Sequence, residues 1–518
     1  MARREQLMRG LAAGLSFLAV SCAHGAVGGR FGFRAVIVRA QALARAAYRP
    51  DPPDPALGHL DYRQYRSVHF RKSRTLWPHR RFSLQLFAPG YRFRRFVRIS
   101  LIGPDGVGAL PFALRDFRYP RGTYPQRLAH AGFAGFRLLY RDYRRNAGVP
   151  GQNGQVIVFL GASYFRVKGA REQFGTSARA VAVDTIARHP EEFPRFVHFW
   201  IRTPGRDAHR AIVYGLLDGA AVTGAFRFVI VPGASAQVRV RARLFLRHAV
   251  AELGLAPLSS MYMYDLIDRR PWAYLRPAVH DAEGFLLACG RRFRWRQLAN
   301  PVKVRQFTFV CADPRGFGLL QRDRKFADYE SISMRYQQRP SVWVTPRGEW
   351  GQGAVTLIEI PTPNEANDNI VAFFRPSREP IGRPLRFDYD MTWGRHGPPE
   401  PVAKVVQSYA TFRRPGRPVR FVIDFAGHML AGPRPLAAHV RIASGRGHVS
   451  ALSLRPLPGA DAWRLSFTVV PRTRKTLHVR ACLTARGHVV SEIWDYVVAA
   501  QNGPADARRL PCVAVGGS

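Results

Sequence analysis

Two acidic positions set the chemistry this chain could carry. Asp281 lies in His280-Asp281-Ala282-Glu283-Gly284, just after Arg276-Pro277, and Asp368 lies in Asn364-Glu365-Ala366-Asn367-Asp368-Asn369. Paired carboxylates are the usual equipment for breaking a glycosidic bond, because one protonates the leaving oxygen while the other acts on water or on the sugar carbon. The segment Arg339–Phe374 around Asp368 also contains Trp343, Glu349, Trp350 and Glu359. Aromatic faces that stack on a pyranose, with planar polar groups that bond its hydroxyls, are what a carbohydrate site uses. Asn and Asp are equally favoured in turns, and His-Asp-x-x-Gly is also an ordinary turn, so composition leaves both readings open. A third segment, Gly316-Phe317-Gly318-Leu319-Leu320-Gln321-Arg322-Asp323-Arg324, continues to Tyr329 and Glu330. It lacks the third glycine and the strand–helix–strand setting of a dinucleotide loop. There is no Gly-x-Ser-x-Gly elbow, His-Glu-x-x-His helix or phosphate loop, which leaves the carboxylates. Asp281 and Asp368 are far apart in sequence, so only the fold can bring them together.

The elements that must do so read as β. Residues 155–160, 179–184, 211–217, 226–231, 238–245, 342–345, 355–360 and 369–374 are short runs rich in Val, Ile and Phe, bounded by Gly, Pro or Asn. One helix is expected over 35–48, where Val36, Ala40, Leu43 and Ala47 recur at helical spacing before Pro50. Pro376, Pro380 and Pro384 interrupt the β pattern and mark a boundary. Beyond it, strands are expected at 385–393, 419–425, 439–443, 449–454, 463–470, 477–483 and 493–498, a spacing that suits an immunoglobulin-like sandwich. The fold class is therefore all-β: an N-terminal sandwich over 30–377, a linker at 378–384, an Ig-like sandwich over 385–500 and a disordered tail at 501–518.

The chain has 518 residues, 47% of them hydrophobic, enough for two to four domains at roughly 100–200 residues each. Its formal net charge of +44 suggests nucleic acid at first sight. Only six of the 79 basic residues are lysines, however, which is what a GC-rich coding bias produces. The arginines are spread along the whole chain, and no nucleic-acid-binding signature accompanies them, so nucleic acid is not expected as a partner. Arg3, Arg4 and Arg9, the apolar run Leu11 to Val20 and the small residues Ala23, Gly25 and Ala26 make a secretory signal over 1–26. Twin-arginine export through Arg3-Arg4 and a weak lipobox ending at Cys22 stay open. Four other cysteines remain. Pairing of Cys289 with Cys311 and Cys482 with Cys512 suits an oxidising compartment, and buried reduced thiols are an equal alternative. Their spacing fits no zinc motif.

Several strings are long and specific. Gly161-Ala162-Ser163-Tyr164-Phe165-Arg166, Ser177-Ala178-Arg179, Glu191-Glu192-Phe193-Pro194-Arg195-Phe196, Arg339-Pro340-Ser341 with Trp343-Val344-Thr345-Pro346, Gly348-Glu349-Trp350-Gly351 and Asn367-Asp368-Asn369-Ile370-Val371-Ala372 occur in this order. Together with Arg276-Pro277, His280-Asp281 and Gly316 to Arg322, this chain resembles the glucans biosynthesis protein G/D family (OpgG/MdoG and OpgD/MdoD) from Phe33 to Tyr496. The resemblance implies a periplasmic protein of osmoregulated glucan synthesis, with a large galactose-mutarotase-like sandwich and a small Ig-like domain. It implies inverting hydrolysis of β-1,2-glucan, with Asp368 as general acid, Asp281 as general base acting through water, and Tyr336 lining that path. His280, Arg324, Tyr329, Trp343, Glu349, Trp350, Glu365, Asn367 and Asn369 are the expected glucan-binding residues. Ala366 stands where the family string has threonine, and the loop from Tyr264 to Tyr274 departs from the family's. No cofactor or metal is expected. The β-1,2-linked glucan backbone, the inner-membrane glucan synthase and a second copy of the chain are the expected partners. The alternative is a non-catalytic glucan-binding module that guides the nascent chain; an arginine-rich polyanion binder is a third reading.

Overall fold

The computed structural model describes residues 31–498, apart from positions 121, 123, 125–131, 145–153, 188, 269–274, 380, 412–416, 433–434, 459–460 and 474. The signal segment, the tail, Cys22 and Cys512 lie outside the described residues. The all-β expectation holds: among the described residues helices are confined to Phe33–Arg45 and two single turns of α-helix, besides short 3-10 turns.

Two large sheets carry the architecture. A ten-stranded sheet runs in the order Phe82–Phe87, Gly135–Tyr140, Gln155–Leu160, Tyr164–Val167, Ser177–Arg179, Leu253–Ser260, Ile370–Pro376, Gly353–Glu359 and Arg305–Val310, with Val181–Val183 also pairing with Leu253–Ser260. A fifteen-stranded sheet faces it, and the rings of Phe136, Phe159 and Phe165 on the first meet Phe199, Phe228 and Trp393 on the second. The strand Ala236–Leu246 shows why one face turns inward. Ala236, Val238, Val240, Ala242 and Leu244 are buried, while Gln237, Arg239 and Arg241 between them are exposed, the period of two that a half-buried strand requires. The helix Phe33–Arg45 covers the outer side of this sheet, setting Val36 and Ala40 against Trp200, Tyr214 and Phe245.

The strand Leu385–Gly394 corrects one expectation. It was assigned to the C-terminal unit, but it pairs with Ala236–Leu246 on one side and Ser341–Arg347 on the other, inside the large sheet. The prolines before it mark a long connection and not a change of core. The strands expected further on do form a second core. Val419–Ala426, Ala462–Pro471 and Gly447–Pro456 make a four-stranded sheet with Lys404–Thr411, a strand the sequence reading did not expect. It packs Phe421 and Phe467 against Trp494. The opposing layer, Leu436–Ser444, Leu477–Ala485 and Ile493–Val498, continues the fifteen-stranded sheet through parallel pairing of Ile493–Val498 with Arg292–Gln297. Arg296 and Asp495 meet across that junction at 2.6 Å, both fully buried, so neither charge is left uncompensated.

Cys289 and Cys311 form a disulfide, which ties the end of Gly284–Cys289 in one sheet to the end of Arg305–Val310 in the other. Cys482 is half-buried and forms no disulfide among the described residues; its expected partner, Cys512, lies outside them.

Candidate active site

The strand Leu253–Ser260 organises the site. Pro257 has no N–H for a sheet ladder, and it sits at a bulge where the pairing with Ile370–Pro376 shifts between Leu255 and Leu258. Ala256 turns left-handed there, at φ 48°. The bulge re-aims the end of the strand, and the carbonyls at and just beyond that end hold the two acidic segments. Ser260 O accepts the N–H of Asn369 at 2.9 Å, and Met261 O accepts the N–H of Asp281 at 2.8 Å. Consecutive residues thus anchor the two acidic segments.

Asp368 lies on the open side, with its side chain 27% exposed. The Ser177 hydroxyl donates to its Oδ2 at 3.0 Å, and Arg166 Nη2 stands 3.6 Å from the same oxygen. Asp281 is buried at 7% exposure, with Arg339 Nε 3.5 Å from Oδ1. Burial pushes the Asp281 carboxyl above its ordinary value, Arg339 pulls it back, and the charge of Asp368 pushes it up again.

Tyr336 is fully buried and donates its hydroxyl to Glu365 Oε2 at 2.9 Å; Arg276 Nη1 meets that oxygen at 2.7 Å. Burial, with Glu365 and Asp281 nearby, holds the phenol protonated by raising its pKa. Gln321 joins this side to His280: its Nε2 donates to the carbonyls of His280 and Tyr336, each at 3.2 Å, and its Oε1 is 2.8 Å from His280 Nδ1. Arg166, Ser177, Gln321 and Arg339 are the contacts that sequence reasoning did not single out. Each lay inside a string that carried the resemblance, but nothing in the string revealed its role.

The expected glucan-binding residues divide into two groups. Asn367 is exposed and Glu365 half-buried, both on the segment that bears Asp368. Most of the others serve the scaffold. His280 is completely buried, stacked on Tyr262 with ring centroids 5.5 Å apart. Burial opposes its charge, but Asp265 and Glu283 outweigh that and raise its pKa. Asn369 is 1% exposed, and its side chain accepts from Tyr262 N at 2.8 Å and donates to Ile360 O at 3.1 Å. The Arg324 guanidinium bonds the backbone carbonyls of Gln337, Arg339 and Arg395. Tyr329 is fully buried and bonds Asp323 O. Trp343 is a core residue at 7% exposure, its ring lying against Gly316 and Gly318, where any Cβ would collide with it. Trp350 packs among Phe374, Phe387 and Tyr389 and donates to Asp388 O, and Glu349 beside it is exposed. Trp343 offers no free face for a sugar, and Trp350 is half-buried.

Among the described residues no group of His, Cys, Asp and Glu could hold a metal ion. The family model described as Periplasmic glucan biosynthesis protein, MdoG, matches residues 31–498. A relative named glucans biosynthesis protein G, from Ralstonia nicotianae, is 37% identical over 510 residues, covering 94% of this chain and 99% of the relative.

Proposed function

Because this chain belongs to the family of periplasmic glucan biosynthesis proteins, we propose that it trims the glucan by hydrolysing its β-1,2-linked backbone with inversion. The observation that carries this reading is that Ser260 O and Met261 O, consecutive carbonyls at the end of one bulged strand, hold Asn369, the neighbour of Asp368, and Asp281, whose pKa the charge of Asp368 helps to raise. Asp368, on the open side, protonates the leaving glucosyl oxygen as general acid. Asp281 is the general base. Its raised pKa makes it a stronger base while Arg339 favours its ionised form, and its burial suits action through an intervening water. Tyr336, held by Glu365, orients that water, and Asn369 positions Asp368.

The protein works in the periplasm on glucan leaving a membrane synthase, after removal of residues 1–26. We place the division between the glucan-processing sandwich, of galactose-mutarotase type, and the Ig-like unit after Gly394, since Leu385–Gly394 pairs wholly within the first. The test is to incubate the mature protein with linear β-1,2-glucan and follow the new reducing ends by proton NMR. Initial release of the α-anomer supports the reading; β-anomer or no product defeats it.

A further inference from the structure

A concave site lies beside the strand that carries Arg166. It is a cavity of about 290 Å3 lined by Arg92, Arg94, Arg95 and Arg195, with Tyr164 and Phe193 also in its wall. That volume is at the lower end of ligand pockets and suits one small ring with its substituent. Arg195 is paired with Asp51 at 2.8 Å. Arg92, Arg94 and Arg95 are exposed and make no ion pair with a carboxylate among the described residues. A concave wall with four guanidiniums and one carboxylate partner favours an anion, because guanidinium forks match phosphate and carboxylate oxygens.

The aromatic wall is fixed from behind. Arg179 is 2% exposed and lies against both rings, 5.5 Å from the Tyr164 centroid and 5.9 Å from that of Phe193. One of its nitrogens bonds Glu191 at 2.6 Å, while Nε and Nη2 have no hydrogen-bond partner. This arrangement holds Phe193 49% exposed at the rim, an apolar face beside positive charge. The floor is strained. Gly161 is left-handed at φ 77° and packs so closely on Phe93 that a Cβ would stand 2.7 Å from its ring. Ala162 follows at φ 26°, pinned by a hydrogen bond from Phe196 N to its carbonyl. Non-glycine backbone of this kind is costly and collects where a ligand is clamped.

Tyr164 and Arg166 lie on one face of the strand Tyr164–Val167, about 7 Å apart at two residues' rise. Arg166 is the residue that reaches Asp368. The cavity thus adjoins the strand whose Arg166 stands 3.6 Å from Asp368. We propose that it binds an anionic carbohydrate, a sugar unit carrying a phosphate or a carboxylate, and so selects charged glycan next to the catalytic groups. The carbohydrate half of this assignment rests on the glycan reading of the neighbouring site; the anionic half rests on the arginines alone.

Calorimetric titration of the mature protein with glucose 6-phosphate, glucuronate, glucose and inorganic phosphate tests it. At least one charged sugar is expected to bind about tenfold or more tightly than glucose, and more tightly than inorganic phosphate. Arg92→Ala with Arg95→Ala, both exposed positions, is expected to weaken that binding about tenfold or more, the loss of one charge-assisted contact, with the melting temperature unchanged. Which charged sugar binds tells phosphate from carboxylate. Charged sugars that bind no better than glucose, or as well to the double variant, overturn the site; inorganic phosphate binding as tightly overturns its carbohydrate half. Repeating the titration with Asp368→Asn reads the cavity whether or not the chain cleaves glucan.

Discussion

Asn369→Ala separates a positioning residue from a sugar ligand. The substitution leaves the backbone bond to Ser260 O in place but removes the acceptor for Tyr262 N and the donor to Ile360 O. Tyr262 is completely buried, so its N–H finds no water in exchange. At about 1–3 kcal/mol for each of the two groups left unpaired, the expected loss of stability is about 2–6 kcal/mol. Loosening the segment also displaces Asp368 from Ser177 and Arg166, and a shift of about 1 Å at a catalytic group costs on the order of 100-fold in rate. The assay is chemical denaturation together with kcat and KM on β-1,2-glucan, with Asn367→Ala as the control. Asn367 is exposed on the same segment. Its removal is expected to leave stability within about 0.5 kcal/mol and to act through KM if at all. An Asn369→Ala protein that unfolds like the wild type and differs only in KM would refute the reasoning and return Asn369 to the glucan-binding group.

Three further outcomes are expected. Trp343→Ala should destabilise by about 3–5 kcal/mol, as core aromatics do, while calorimetry at a temperature where it stays folded gives unchanged glucan affinity. Replacing Cys289 and Cys311 by serine opens a loop of sequence separation 22, worth about 3 kcal/mol in chain entropy, and lowers the melting temperature. Burial pushes Asp323 from 3.8 up to about 10 and Glu400 from 4.5 up to about 9, with neighbouring Glu283 and Glu492 adding to the rise. The folded state then holds protons that the unfolded chain has released, so stability from these groups is full at acid pH and falls as pH climbs from about 4 towards 9 or 10. Asp323→Asn should flatten that fall between about pH 6 and about pH 9 in thermal melts; an unchanged slope would contradict the buried protonated carboxyl.

Lys404–Thr411, broken by a bulge between Val405 and Gln407, was missed, whereas other strands of the C-terminal half were legible from a period-two face and clear turn residues at their ends. Ala462–Pro471 and Leu477–Ala485 are examples. Gly316–Leu320 and Leu253–Ser260 were not, for a physical reason: both are buried throughout, and their Gly and Pro residues look like turn signals. In fact Gly316 and Gly318 make room for the Trp343 ring, and Pro257 occupies a bulge. The placement of Leu385–Gly394 illustrates the same limit, since a strand's pattern gives its faces but not its neighbours. At the site, residue type distinguished the carboxylates but not the environment around them. The aromatics near Asp368 in sequence suggested a sugar platform, yet Trp343 and Trp350 belong to packed interiors. Arginine was so abundant that Arg166 and Arg339, the two nearest the carboxylates, carried no signal of their own.

The most direct test is the rate of β-1,2-glucan cleavage by the wild type beside Asp368→Asn and Asp281→Asn, with glucan binding measured in parallel. Loss of on the order of 100- to 10,000-fold in kcat from each substitution, with binding retained, is the expected result for a general acid and a general base. Cleavage that survives either substitution, or a wild-type protein that binds glucan without shortening it, would contradict the two-carboxylate mechanism and leave a glucan-binding protein in its place.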